Sequence, residues 1–176
     1  MTNLFFRIRL ILPYIVAILI VLVASLPFGV TGFNAFRPLV LMMLIFHFSI
    51  YRPHYFPYYF LFILGVLHDA ATGLPLGITS LLLILLKACI VSVRTKYVRV
   101  SMTVIWVQFS LWILAIACIE WIMMSFFYGQ ILSVTLACIQ LLLSVSIYPL
   151  FHKLFVWVNR MTPRAAGEDK IIIPIS

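Results

Sequence analysis

Two stretches of this chain, "ILPYIVAILIVLVASLPF" from residue 11 and "ILSVTLACIQLLLSVSIYPLF" from residue 131, run 18 and 21 residues without a charged side chain. A helix rising about 1.5 Å per residue covers the roughly 30 Å hydrocarbon core of a bilayer in about 20 such residues. A membrane barrel would instead show segments of about ten residues that alternate apolar and polar positions, and these runs do not alternate. The rest of the chain is built alike: 65% of the residues are hydrophobic and 9% charged, where a soluble domain carries about a quarter charged. Hydrocarbon offers no partner for a backbone amide, so each must be satisfied within its own helix. The expected fold is therefore an all-α integral membrane protein, a transmembrane helical bundle.

The apolar runs place spans at about 10–28, 38–51, 57–71, 75–93, 101–127 and 131–158, one bundle over 1–160 with a short tail at 161–176. The second and third runs are short for crossings and are separated by "YRPHYFPYY", whose prolines and tyrosines suit an interfacial turn. Charge placement decides how to count them. With six crossings and a cytoplasmic N-terminus, Arg7, Arg9, Arg52, Arg94, Lys96, Arg99, Lys153, Arg160, Arg164 and Lys170 gather on the inner face, against Arg37 alone outside. Merging runs two and three would carry "RTKYVR" outside, against the positive-inside bias. Six spans with both termini cytoplasmic follow. The formal net charge of +8 then reflects topology and contact with anionic lipid, not nucleic-acid binding.

The polar groups inside the oil are few. "GVLHDAATGLPLG", residues 65–77, holds Asp69, one of four acidic residues. Gly73 suits a helix end, Pro75 the first turn of the next helix, and Gly65 a close helix contact or a bend. Asp69 has three uses open to it: capping amides of the next helix, pairing with a cation such as Arg37, or meeting a partner. Lys87 and Glu120 lie at depths a turn or so apart, and a lysine stem can snorkel that far, so an interior Lys87–Glu120 ion pair is expected. His47 is expected as a satisfied buried imidazole and His68 as an interfacial hydrogen-bonding residue. Trp106, Trp121 and Trp157 suit membrane interfaces, while Trp112 falls deeper, as packing. Cys89, Cys118 and Cys138 read as small packing residues, and the scattered serines as helix-packing hydroxyls. No catalytic motif, phosphate loop or metal-ligand spacing is present, so no enzyme activity and no cofactor are expected.

The block "FRPLVLMMLIFHFSIYRPHYFPYYFLFILGVLHDAATGLPLGITSLLLILL" resembles the central part of the MreD family, rod shape-determining proteins of bacterial inner membranes. The likeness rests on Arg37-Pro38, on Arg52-Pro53, and on Gly65, Asp69, Gly73, Leu76 and Gly77, over about residues 36–86. It implies a six-helix bundle similar to the substrate-binding subunits of energy-coupling-factor transporters. It also implies a non-enzymatic scaffold of side-wall peptidoglycan synthesis. The implied partner is a bitopic MreC-like protein and, through it, MreB, RodA and a penicillin-binding transpeptidase. The same fold likeness supplies the alternative expectation, a substrate-binding subunit of a vitamin or small-molecule importer.

Overall fold

The computed structural model describes residues 2–25, 39–93 and 102–161. These form six helices and their turns: α1 (Thr2–Ser25), α2 (Val40–Tyr51), α3 (Tyr58–Thr72), α4 (Ile78–Val93), α5 (Met102–Tyr128) and α6 (Val134–Met161). No strand occurs among the described residues. Two helical stretches, Thr103–Tyr128 and Val134–Val158, are long and apolar enough to cross a membrane, and the apolar parts of the other four helices are shorter. The elements fall on the runs read from the sequence, with shifted ends. α1 takes in the basic lead from Thr2, α4 starts at Ile78 rather than Pro75, and α6 starts at Val134 rather than 131.

The shortest helix is the centre of the bundle. Every residue of α2 from Leu41 to Ile50 is buried, as expected of a helix that is apolar on all sides. It packs against α1, α4, α5 and α6, while α3 packs mainly on α4 and α1. α1 and α4 thus lie against both α2 and α3, while α5 and α6 pack on α2.

Two aromatic groups hold these contacts. Phe109 of α5 stacks on Tyr148 of α6 at 4.1 Å between ring centres, and Phe46 of α2 meets both rings edge-on at 5.2 and 5.9 Å. Tyr14 of α1 packs on Phe56 and Phe60 at 5.2 and 4.9 Å, seating α1 on the α2–α3 turn.

The register of α5 and α6 is set by their indoles. Trp106 Nε1 donates to the Val145 carbonyl at 3.0 Å and Trp121 Nε1 to the Leu132 carbonyl at 3.1 Å. Both tryptophans therefore brace the two helices, beyond any interfacial role. Trp112 remains a packing residue against the core. Ser144, fully buried, does more than pack: its Oγ accepts the Leu39 N–H that opens α2 at 2.9 Å and donates to the Gln140 carbonyl at 2.7 Å. A side chain of α6 thus caps α2, whose own N-cap residue, Leu39, supplies no side-chain bond. Cys118 and Cys138 are exposed on α5 and α6 rather than packed, and Cys89 is half-buried.

Candidate functional site

The polar chemistry concentrates on the α3–α4 hairpin, at its two ends. At the joint, Asp69 is fully buried. Its Oδ2 accepts the Gly77 N–H at 2.8 Å and the Thr79 N–H at 3.2 Å, and its Oδ1 lies 3.3 Å from the same Thr79 nitrogen. Gly77 and Thr79 open α4, so a residue of the preceding helix acts as its cap. The backbone of Asp69 is used as well: its carbonyl accepts the Gly73 and Leu74 N–H groups and so terminates α3. A carboxylate near the C-terminal end of α3 would be unfavourable alone, but here it faces the positive N-terminal end of α4.

The glycines make this joint possible. Gly73 (φ 73°) and Gly77 (φ 99°) both sit in left-handed backbone, which a side chain disfavours. Because Gly77 is not helical, Pro75 lies in the turn and not in the first turn of α4, which corrects that expectation; Leu76 is exposed at the tip. At Gly65 the reason is space. A Cβ there would fall on the backbone of Ser80, within 2.5 Å of its nitrogen. Ser80 Oγ donates to the Phe62 carbonyl at 2.8 Å across the same contact. Of the two uses expected of Gly65, close contact is the one realised.

At the other end, Lys87 is buried. Its Nζ donates to the Phe56 carbonyl at 2.5 Å and the Tyr55 carbonyl at 3.4 Å, and stands 4.8 Å over the Tyr58 ring. The expected Lys87–Glu120 pair is therefore not formed. Buried turn carbonyls need a donor, and the lysine stem reaches that turn. Phe56 holds a left-handed φ of 58° without being glycine, a conformation that persists only where neighbours enforce it. Arg52, one of the cations expected on the inner face, is buried with its guanidinium 5.6 Å over the Tyr55 ring, and Pro53 is half-buried in the same turn.

Glu120 is half-buried at the opposite end, where it interacts electrostatically with His68 and Asp69. His68 Nδ1 lies 3.4 Å from Thr79 Oγ1, which ties it to the joint. His47 corrects another expectation. It is fully buried, yet neither ring nitrogen finds a hydrogen-bond partner among the described residues. Its ring lies 4.6 Å from Tyr51 and 5.0 Å from His152, and Tyr148 Oη and His152 Nδ1 are likewise unpartnered. Among the described residues no group of three or more His, Cys, Asp or Glu could hold a metal ion. Arg37, Pro38, the 94–99 connector and the tail from 162 lie outside the described residues.

No family model, no curated protein and no solved structure matches the chain. Sequence reasoning finds Asp69, Gly65 and Gly73 but misses Ser144 and the turn carbonyls that receive Lys87. Neither can be found from spacing, because each bond joins segments far apart in the chain.

Proposed function

We propose that this protein is a six-span bundle of the bacterial inner membrane, both termini cytoplasmic, that serves as a non-enzymatic scaffold of the MreD type in side-wall peptidoglycan synthesis. The observation that carries the reading is the α3–α4 joint. Gly65, Asp69, Gly73 and Gly77, which carry the family resemblance, each hold that joint together, and the carboxylate is buried and committed to amides of α4. A joint built this way fixes a surface, which is what a scaffold offers to a partner.

Solvation supports the membrane part of the reading. In the most apolar windows of α5 and α6 only 17% and 11% of residues are buried, which supports a lipid-facing reading over that of buried core helices. Bare apolar surface on that scale calls for lipid or protein cover. α2, α3 and α4, at 12, 15 and 16 residues, reach only about 18–24 Å. Local thinning of the bilayer and burial by neighbouring helices accommodate the difference.

The partner in this reading is an MreC-like bitopic protein, which links the bundle to MreB, RodA and a penicillin-binding transpeptidase. Depletion followed by microscopy tests it: rods should round into spheres, and detergent extracts should yield the MreC-like protein with this chain. Cysteine at Leu76, 70% exposed, should react with a thiol reagent confined to the periplasm, whereas cysteine at exposed His54 should not. Unchanged rods on depletion, or tight binding of a vitamin by the purified protein, would replace the scaffold reading with the importer one.

A further inference from the structure

One face of α5 is sealed against the core through Ile105, Phe109, Ile113 and Ile116, none more than 5% exposed. The same face continues at helical spacing through Glu120, Met123 and Phe127, and there the cover stops. Glu120 and Met123 are half-buried and Phe127 is 63% exposed. The cause is a difference in length. Past Glu120, α5 runs eight residues further, to Tyr128, about 12 Å along its axis, and none of those eight is buried. α2 stops short in the same sense, since its first amide meets Ser144, ten residues into α6.

The overhanging end of α5 and α6 is braced. Leu132 is gripped from both sides, its carbonyl by the Trp121 indole and its N–H by Ser125 Oγ at 3.4 Å. The end of α5 therefore presents a firm apolar wall on which Met123 and Phe127 continue the core-facing side, with Glu120 at its inner limit. Among the described residues Glu120 has no hydrogen bond or ion pair; the nearest titratable groups acting on it are His68, which Thr79 Oγ1 engages at 3.4 Å, and Asp69. Asp69 is saturated by amides, and Lys87 is engaged at the far end of the hairpin. A carboxylate set in an apolar wall complements a cation, and anionic lipid phosphates do not supply one.

We propose that this shoulder is the docking place for a single membrane-spanning helix of a partner protein, which lays an apolar side along Met123 and Phe127 and pairs a Lys or Arg with Glu120. The identity of the partner as a protein rests on the scaffold reading. The test uses full-length protein in phosphatidylcholine vesicles with a synthetic leucine-rich single-span helix. The helix carries either one lysine or one glutamine about two turns from its outer end. The lysine helix should bind about fivefold more tightly, the size of a favourable interhelical polar contact. Glu120→Gln should erase that preference without changing thermal stability, and Glu120→Asp should retain part of it.

Equal binding of the two helices to the native protein overturns the proposal. So does a gain in lysine-helix binding on Arg37→Gln, which would assign Glu120 to a cation of its own chain. Loss of the preference on exchanging phosphatidylcholine for phosphatidylethanolamine would make a lipid amine the occupant and overturn it equally. The scaffold reading fails separately. If extracts yield no MreC-like protein while the lysine preference stands, the scaffold falls and the shoulder survives. If recovery is equal for native protein and Glu120→Gln and no lysine preference exists, the shoulder falls and the scaffold survives.

Discussion

Replacing Asp69 separates what its charge does from what its oxygens do. In Asp69→Ala, the Gly77 and Thr79 N–H groups lose their acceptor, and Thr79 is 5% exposed, so water cannot take over there. Losing a side-chain cap costs about 0.5–2 kcal/mol, and a stranded buried donor about 1–3 kcal/mol. The two overlap, so the expected loss is about 1–4 kcal/mol. Asp69→Asn should behave differently because Oδ2 already accepts from both amides at 2.8 and 3.2 Å. An amide oxygen in that place keeps both bonds, with its NH2 turned to the poorer Oδ1 position. What is lost is the charge facing the α4 dipole, about 0.3–1 kcal/mol. The NH2, set 3.3 Å from the Thr79 nitrogen, adds part of a stranded-donor cost, so Asn falls between the native protein and Ala. Equilibrium unfolding in mixed micelles, alongside membrane abundance, reads both variants. If Asn proves as damaging as Ala, the carboxylate acts by its charge, in an ion pair such as one with Arg37, and the capping argument is wrong.

Gly65→Ala should cost about 1–3 kcal/mol from overpacking, and Ser80→Ala should not rescue it, because removing the hydroxyl still leaves the collision with the Ser80 backbone; a rescued double variant would show that the hydroxyl contact alone carries the clash. A double-mutant cycle of Lys87→Met and Glu120→Gln should return a coupling below about 0.5 kcal/mol, since Lys87 is held by Phe56 and Tyr55; a coupling well above that would restore the expected ion pair. Tyr148→Phe should leave thermal stability unchanged or raise it, because its buried Oη has no partner while its ring keeps the 4.1 Å stack on Phe109. A clear drop in melting temperature would reveal a hydrogen bond that this geometry lacks. Ser144→Ala should loosen the start of α2 at Leu39, seen as faster amide exchange confined to that first turn.

Much of the joint is legible in the residues alone. A carboxylate set among glycines at a helix end has few economical uses, and capping is among those open to Asp69. Gly65 reads as a close contact for the same local reason, that only a missing side chain lets two backbones approach. Lys87 is different, because depth does not choose its partner: two charges at similar depth look sufficient for a pair. What matters is direction, and the stem points toward a turn whose carbonyls the sequence does not advertise. His47 escapes a sequence reading in the same way, since burial says nothing about which atoms face the ring nitrogens.

Long runs without charge and the sparsity of acidic residues determined that this chain is helical, that its helices are apolar, and roughly where each one lies, because those properties are set by consecutive residues. Only the tertiary structure decided that the shortest run is the centre of the bundle, that α4 lies against both α2 and α3, and that Asp69 and Lys87 fasten opposite ends of one hairpin. These depend on which surfaces meet across the fold, and helical periodicity fixes the face of a helix without naming its neighbour.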